Sequence, residues 1–264
     1  MRCVVACALV ALVAAAAPMR AQRPVAMPAA ARRDAAVPFA VGETLTYDVS
    51  WSFQGTSILV AGTATASVQD KHPSFGSTAY TLVAEGRPIP LVARLYALHY
   101  RMDALLDSVS LLSHRGSLYA EEGRAKRTSI TQFDRAGKRV LFEEQSDSPV
   151  KLQYPVPPQT QDGLSALYTL RSRAFKPGDH LSFPVADSGS LYTVDVRVGQ
   201  PEAVRTRMGE TMAWPLTGTI QDADGAAEWK NIGAWISVDG RHLPVKLQAE
   251  LPVGAFVLAL REVH

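Results

Sequence analysis

The sequence predicts a mainly β (α+β) fold: one large, twisted and partly rolled antiparallel sheet with a single main helix at about residues 162–173. Two observations carry that expectation. From Phe39 onward, apolar and polar residues alternate with period two through most of the chain, broken by Gly- and Asp-containing turns. Only Gln161 to Arg173 switches to a clear helical spacing, with Leu164, Leu167 and Tyr168 on one stripe and Asp162 at the N-cap position. One-sided alternation belongs to an antiparallel sheet with a dry face and a wet face, not to a doubly wound parallel sheet. The helix is expected to cover the dry face or to plug an open end.

Taken in order, Glu43 to Phe53 carries Leu45, Tyr47, Val49 and Trp51 at period two, and Gly55 turns the chain into Ile58 to Val68. Thr78 to Glu85 follows. Leu91, Leu95 and Leu98 suggest a short helix near Leu91 to Tyr96, after which Leu98, Tyr100 and Met102 alternate like a strand. Leu111 to Ala120, Arg127 to Phe133 and Arg139 to Gln145 continue the antiparallel run, the last two joined by Asp134-Arg135-Ala136-Gly137-Lys138. Pro149, Pro155, Pro157 and Pro158 predict a surface crossover without regular pairing. Beyond the helix, Lys176-Pro177-Gly178-Asp179 turns into Leu181 to Val185. Leu191 to Val198, Ala203 to Arg207 and Thr211 to Ile220 are then strands. Asp239-Gly240 joins Ala234 to Val238 with Leu243 to Leu251, and Ala255 to Arg261 closes the domain.

The first 21 residues have another character. Arg2 precedes an uncharged Ala/Val/Leu run from Val4 to Ala17, Pro18 breaks it, and Ala21 offers a cleavage point. This is the layout of a secretory signal peptide, and the run is too short for a good membrane span. Residues 22–37, rich in Pro, Ala and Arg, read as a flexible leader, leaving 38–264 as a single β-rich domain. Cleavage after Ala21 would remove Arg2, Arg20 and both cysteines, leaving 25 basic against 25 acidic residues. A formally neutral, cysteine-free mature chain excludes disulfides and thiolate chemistry, and gives no electrostatic reason to bind nucleic acid. No later apolar run is long enough to span a membrane as a helix.

No motif points to catalysis or to a cofactor. His72, His99, His114, His180, His242 and His264 are scattered, without the spacing of a zinc site. There is no nucleophile elbow, no phosphate loop and no dinucleotide fingerprint. Ser148-Pro149-Val150-Lys151 matches SxxK by letters alone. Asp222-Ala223-Asp224-Gly225 with Glu228 lacks the register of a calcium loop and reads as a turn. Catalytic, cofactor and metal residues are therefore expected to be none.

Three residues stand out as ligand-binding candidates: Arg171, Tyr168 and Trp235. Arg171 falls on the apolar stripe of the helix, where a guanidinium must reach water or find an acceptor. A structural ion pair between helix and sheet is the first reading of it, and recognition of an anionic ligand group the second. Tyr168 and Trp235 are core or cavity-lining aromatics.

Five stretches in order resemble domain-of-unknown-function family 3108, a family of bacterial exported proteins. They are Pro38 to Trp51, Ala61 to Val68, Gln132 to Val140, Gln161 to Asp179 and Trp235 to Leu251. The resemblance implies a Gram-negative envelope protein, periplasmic or secreted, of one β-rich domain with no assigned catalytic residue. The layout is also similar to the open curved sheets of lipoprotein-carrier proteins, whose concave face holds an acyl chain. The expected function is non-enzymatic binding of a hydrophobic or lipid-like ligand in a concave sheet face. The alternatives are an envelope module whose partner is another protein, and an envelope hydrolase with dispersed Asp, Glu or His residues.

Overall fold

The computed structural model describes residues 33–52, 59–95, 97–223, 227–251 and 254–264, and the body considered below begins at Asp34. Its fifteen strands form one sheet. They are β1 (Thr44–Ser52), β2 (Leu59–Ser74), β3 (Ser77–Pro88), β4 (Leu98–Asp107), β5 (Ser113–Glu122), β6 (Ala125–Asp134), β7 (Arg139–Gln145) and β8 (Val150–Pro155) in the first half. The second half holds β9 (His180–Asp187), β10 (Ser190–Val198), β11 (Glu202–Thr206), β12 (Gly209–Gln221), β13 (Ala227–Ser237), β14 (Pro244–Leu251) and β15 (Gly254–Val263). A short helix, α1 (Pro90–Leu95), interrupts the first half, and α2 (Gly163–Arg171) joins the two. The spatial order is β8-β7-β6-β5-β4-β3-β2-β1-β15-β14-β13-β12-β10-β9, with β11 also pairing β12 and every ladder antiparallel.

The order follows from hairpins. Each half is a meander of short connections, and the halves meet where the closing strand β15 pairs with the opening strand β1, from Leu45↔Val263 to Ser52↔Ala255. The sheet therefore runs outward from its two chain ends, and its edges, β8 and β9, flank α2 in sequence. The Pro-rich stretch expected to be an unpaired crossover instead contains β8, in register with β7 from Arg139↔Pro155 to Glu144↔Val150. Proline is tolerated there because β8 is an edge strand, where a missing N–H breaks no ladder.

The sheet curls around α2. Leu164 and Tyr168 pack with Phe39, which precedes β1, and with Val68, Leu82 and Leu106 from β2–β4. Ala166 and Leu170 of the same short helix pack with Val185, Val196, Leu216 and Ile236 from β9–β13. Strands so far apart in the order can share one nine-residue helix only if the sheet rolls round it.

The roll does not close into a hydrogen-bonded barrel; its edges overlap instead. Phe142 lies on the side facing the interior, through the cross-strand row Ala104, Gly116, Thr131 and Phe142. It packs with Ala186 of β9, which alternates with the helix-facing Val185 and so belongs to the opposite side of that strand. Gly189, at φ +80°, sits where a β-carbon would lie 3.1 Å from both Leu152 and Phe142. Tyr154 Oη donates to the Ser190 carbonyl at 3.3 Å across the same seam. Gln161 adds one parallel bridge to Val185.

Candidate functional site

The site is built where α2 faces β2 and β3. Asp162 caps the helix by accepting a hydrogen bond from the Ser165 N–H at 2.8 Å, while its own N–H donates to Ser113 Oγ at 3.0 Å. Burial pushes the Asp162 carboxyl above the usual carboxylate range, although hydrogen bonds from Ser165 and Ser113 oppose that shift. At the other end, Arg171 is fully buried. Its Nη1 and Nη2 donate to Glu43 Oε1 and Oε2 at 2.6 and 2.9 Å, and its Nε donates to the His242 carbonyl at 3.0 Å. Both ends of the helix are thus tied to the sheet, which holds Leu164 and Leu167 in place.

Above these leucines lies a pocket of about 280 Å³, whose walls come from β1–β4, α2, β14 and β15. Its construction is legible in the cross-strand register. One row runs Tyr47, Ala64, Gly86, Tyr100 across four neighbouring strands, and the next runs Leu45, Ala66, Ala84, Met102. Each row is large at its ends and small in the middle. The small residues leave the room and the large ones frame it. A β-carbon added at Gly86 would meet nothing within 4 Å. Leu247 and Leu258 complete the lining.

The pocket is apolar in chemistry as well as in name. The Tyr47 hydroxyl donates to the Pro244 carbonyl at 3.0 Å and is already engaged, while its burial raises its pKa far above the usual phenol range. Thr65 and Glu85 border the pocket through the chain, but they alternate with Ala64, Ala66, Ala84 and Gly86. The Glu85 carboxylate is turned to Arg87 Nη2 at 2.6 Å and His99 Nε2 at 2.7 Å, which hold its pKa below the usual range. No acid–base pair among the described residues that line the pocket is aimed inward. Among the described residues no three His, Cys, Asp or Glu side chains converge on a common point that could hold a metal ion. The Asp222 to Glu228 segment lies partly outside the described residues.

The three residues singled out from sequence sit around this pocket but do not line it. Arg171 is in the Glu43 pair. Tyr168, one turn earlier, stands edge-on to Phe39 with centroids 5.0 Å apart, at the foot of the helix. Trp235 shares a register position with Lys246, whose neighbour Leu247 points to the pocket, so the indole lies on the other side of the sheet. There its Nε1 donates to Glu202 Oε1 at 2.5 Å, and Lys246 Nζ lies 4.0 Å from the ring centroid. The residues that shape the pocket, Ala64, Ala66, Ala84 and Gly86, carry no chemistry for a motif search to find. Their one signal is a run of small side chains at period two on adjacent strands.

A rolled, seam-overlapped antiparallel sheet around one helix, with an apolar pocket beside it, defines a barrel-like class of fold. Within that class the sequence from 46 to 261 matches the proteins of unknown function DUF3108, and the chain belongs to that family. No curated protein matches the sequence. A β-barrel-like protein of family DUF1849 from Brucella abortus has a similar structure, with a TM-score of 0.60 and 13% identity over 88% of this chain and 99% of that one. A protein from Bacteroides fragilis described as exported and YmcC-like in fold aligns at a TM-score of 0.36 and 10% identity, over 88% of this chain and 100% of that one. Among the described residues no helix is long and apolar enough to cross a membrane.

Proposed function

We propose that this protein is a non-enzymatic binder of a hydrophobic, lipid-like molecule in the bacterial cell envelope, exported by the signal peptide at residues 1–21. The observation that carries the reading is the pocket between α2 and β1–β4, walled by apolar side chains and made roomy by Ala64, Ala66, Ala84 and Gly86. A packed core normally fills such space, because each unfilled methyl-sized gap lowers stability. Ligand sites are the usual setting for a preformed apolar concavity of this kind. The signal-like leader and the neutral, cysteine-free mature chain supply the envelope part of the proposal.

The test is native mass spectrometry of the mature protein after incubation with total envelope lipid, beside the Gly86→Leu variant. A lipid adduct on the wild type that is absent from the variant supports the reading. Equal adducts on both, or none on either, overturns it.

A further inference from the structure

The inference rests on the proposed binding role and concerns which part of a ligand the pocket reads. Inward-facing residues change exposure steadily along the strands. On β1, Leu45 and Tyr47 are buried, whereas Val49 and Trp51 are half-buried. On β4, Leu106 and Ala104 are buried, Met102 is half-buried, and Tyr100 is exposed. On β15, Leu260 is buried and Leu258 and Phe256 are half-buried. The three gradients run the same way across the sheet, because Leu260 pairs with Tyr47 and Leu258 with Val49. One end is stopped by α2 and by Phe39, wedged edge-on between Tyr80 and Tyr168. The pocket therefore has a closed floor and a mouth on the Tyr100 side.

Among the described residues that line the pocket, none presents a free charge to it, since Glu85 is paired with Arg87 and His99. Arg171, a cation buried behind the floor, has given its guanidinium N–H groups to Glu43 and to the His242 and Arg241 carbonyls. Polar groups reappear at the mouth, where the Tyr100 hydroxyl donates to Glu122. The buried Asp162, Ser165 and Tyr168 oxygens of α2 that make no hydrogen bond belong to residues outside the lining. Ala66, Ala84, Met102 and Leu164 offer no polar side chain, so a charged headgroup pushed to the floor would lose its water and gain no partner from the pocket wall. A volume of about 280 Å³ is near the lower end, roughly 300 Å³, of small-molecule sites, which suits one chain rather than two.

We propose that the pocket takes a single aliphatic chain tail-first, with the headgroup left outside at the Tyr100 mouth, and that it selects for chain length rather than headgroup. The lower row, with Ala66 and Ala84 at its centre, sets where the chain ends.

The experiment is calorimetric titration of the mature protein with octyl, decyl and dodecyl maltosides below their micelle thresholds, and with octanoate, decanoate and dodecanoate. Affinity is expected to rise about fourfold per added methylene until the floor is reached, with maltoside and carboxylate of one length close together. Ala84→Leu, which raises the floor, should weaken the longest chain most and leave octyl binding near the wild-type value. Gly86→Leu, at the upper row, should weaken every length, and thermal unfolding of both variants shows whether they fold. Binding that follows headgroup, ignores length, or falls equally for all chains in Ala84→Leu overturns this inference while leaving an apolar binder intact. Failure of every amphiphile to bind the wild type overturns both.

Discussion

Arg171 and Glu43, 128 positions apart in sequence, form a bidentate pair with the arginine side chain fully buried. The pair fixes the end of α2 to the turn that opens β1, and the His242 ring returns a contact from Nδ1 to the Arg171 carbonyl at 2.6 Å. Removing one partner strands a charge in the interior. Glu43→Ala is expected to cost about 3–5 kcal/mol, measured by urea unfolding. Replacing both partners with apolar residues, Glu43→Leu with Arg171→Met, should recover much of that loss. A single variant within experimental error of the wild type would refute the assignment of this contact as the anchor of the helix.

The N-cap makes a less obvious prediction. Asp162 is buried with one carboxylate oxygen, Oδ2, lacking a hydrogen-bond partner, and burial raises its pKa. A carboxylate whose folded value lies above the unfolded one penalises the fold at pH above that folded value, and the penalty fades as acid protonates it. Asp162→Asn keeps the capping acceptor without the charge. It should match or exceed wild-type stability at neutral pH, and that advantage should shrink on acidification. Asp162→Ala loses the cap and should cost about 1 kcal/mol. Thermal melts across a pH series distinguish the two variants.

Asp107 has the opposite sign. Burial pushes its carboxyl up, but hydrogen bonds from the Ser110 N–H and hydroxyl, the Ser77 hydroxyl and the Val109 N–H together outweigh it and hold the pKa at about 2. Its ordinary value is 3.8, so its stabilisation is complete above about pH 4 and is lost as pH falls through about 2. The stability gap between wild type and Asp107→Asn should narrow as pH falls from about 4 through about 2. His114→Gln, which removes the imidazole 3.1 Å from the carboxylate, should leave that narrowing in place. A gap that does not change with pH would show that the turn does not depend on the carboxylate.

Gly86 offers a stability test of the pocket itself. A β-carbon there meets nothing within 4 Å, and glycine within a strand costs roughly 0.5–1 kcal/mol relative to alanine. Gly86→Val should therefore raise the melting temperature while weakening the binding of aliphatic probes. A fall in melting temperature would show that the wall is already packed.

Much of the architecture was legible in the sequence, and for a physical reason. Strands with one dry face print a period-two pattern, as Leu45, Tyr47, Val49 and Trp51 do. The helix was legible because Leu164, Leu167 and Tyr168 had to share a stripe. β8 was missed because it is an exposed edge, and Lys151-Leu152-Gln153 alternates too briefly to outweigh the surrounding prolines. Arg171 announced its need for an acceptor through its place on the apolar stripe, but nothing local pointed to Glu43. Trp235 was harder still, since the register shift at Trp235/Ile236 in its pairing with β14 disturbs the simple alternation that assigns sides. The sequence suggests a concave apolar face but not its lining, because absent side-chain volume leaves only small residues such as Ala64, Ala66, Ala84 and Gly86 to be read.

The overlap of β7 and β8 on the β9–β10 turn has a mechanical consequence. A hydrogen-bonded ladder fixes the girth of a cylinder in steps, since neighbouring strands must keep both spacing and register. Here the last joint is made by Phe142 and Leu152 lying over Ala186 and Gly189, with the Tyr154 hydroxyl and the single backbone bridge of Gln161 to β9 as its clasps. Away from the Gln161 bridge, side chains can shift over one another by fractions of an ångström without breaking a backbone bond. No continuous ladder therefore sets the girth along this single line, and an adjustment there pivots on the Gln161 bridge while the fourteen-strand path round it stays intact.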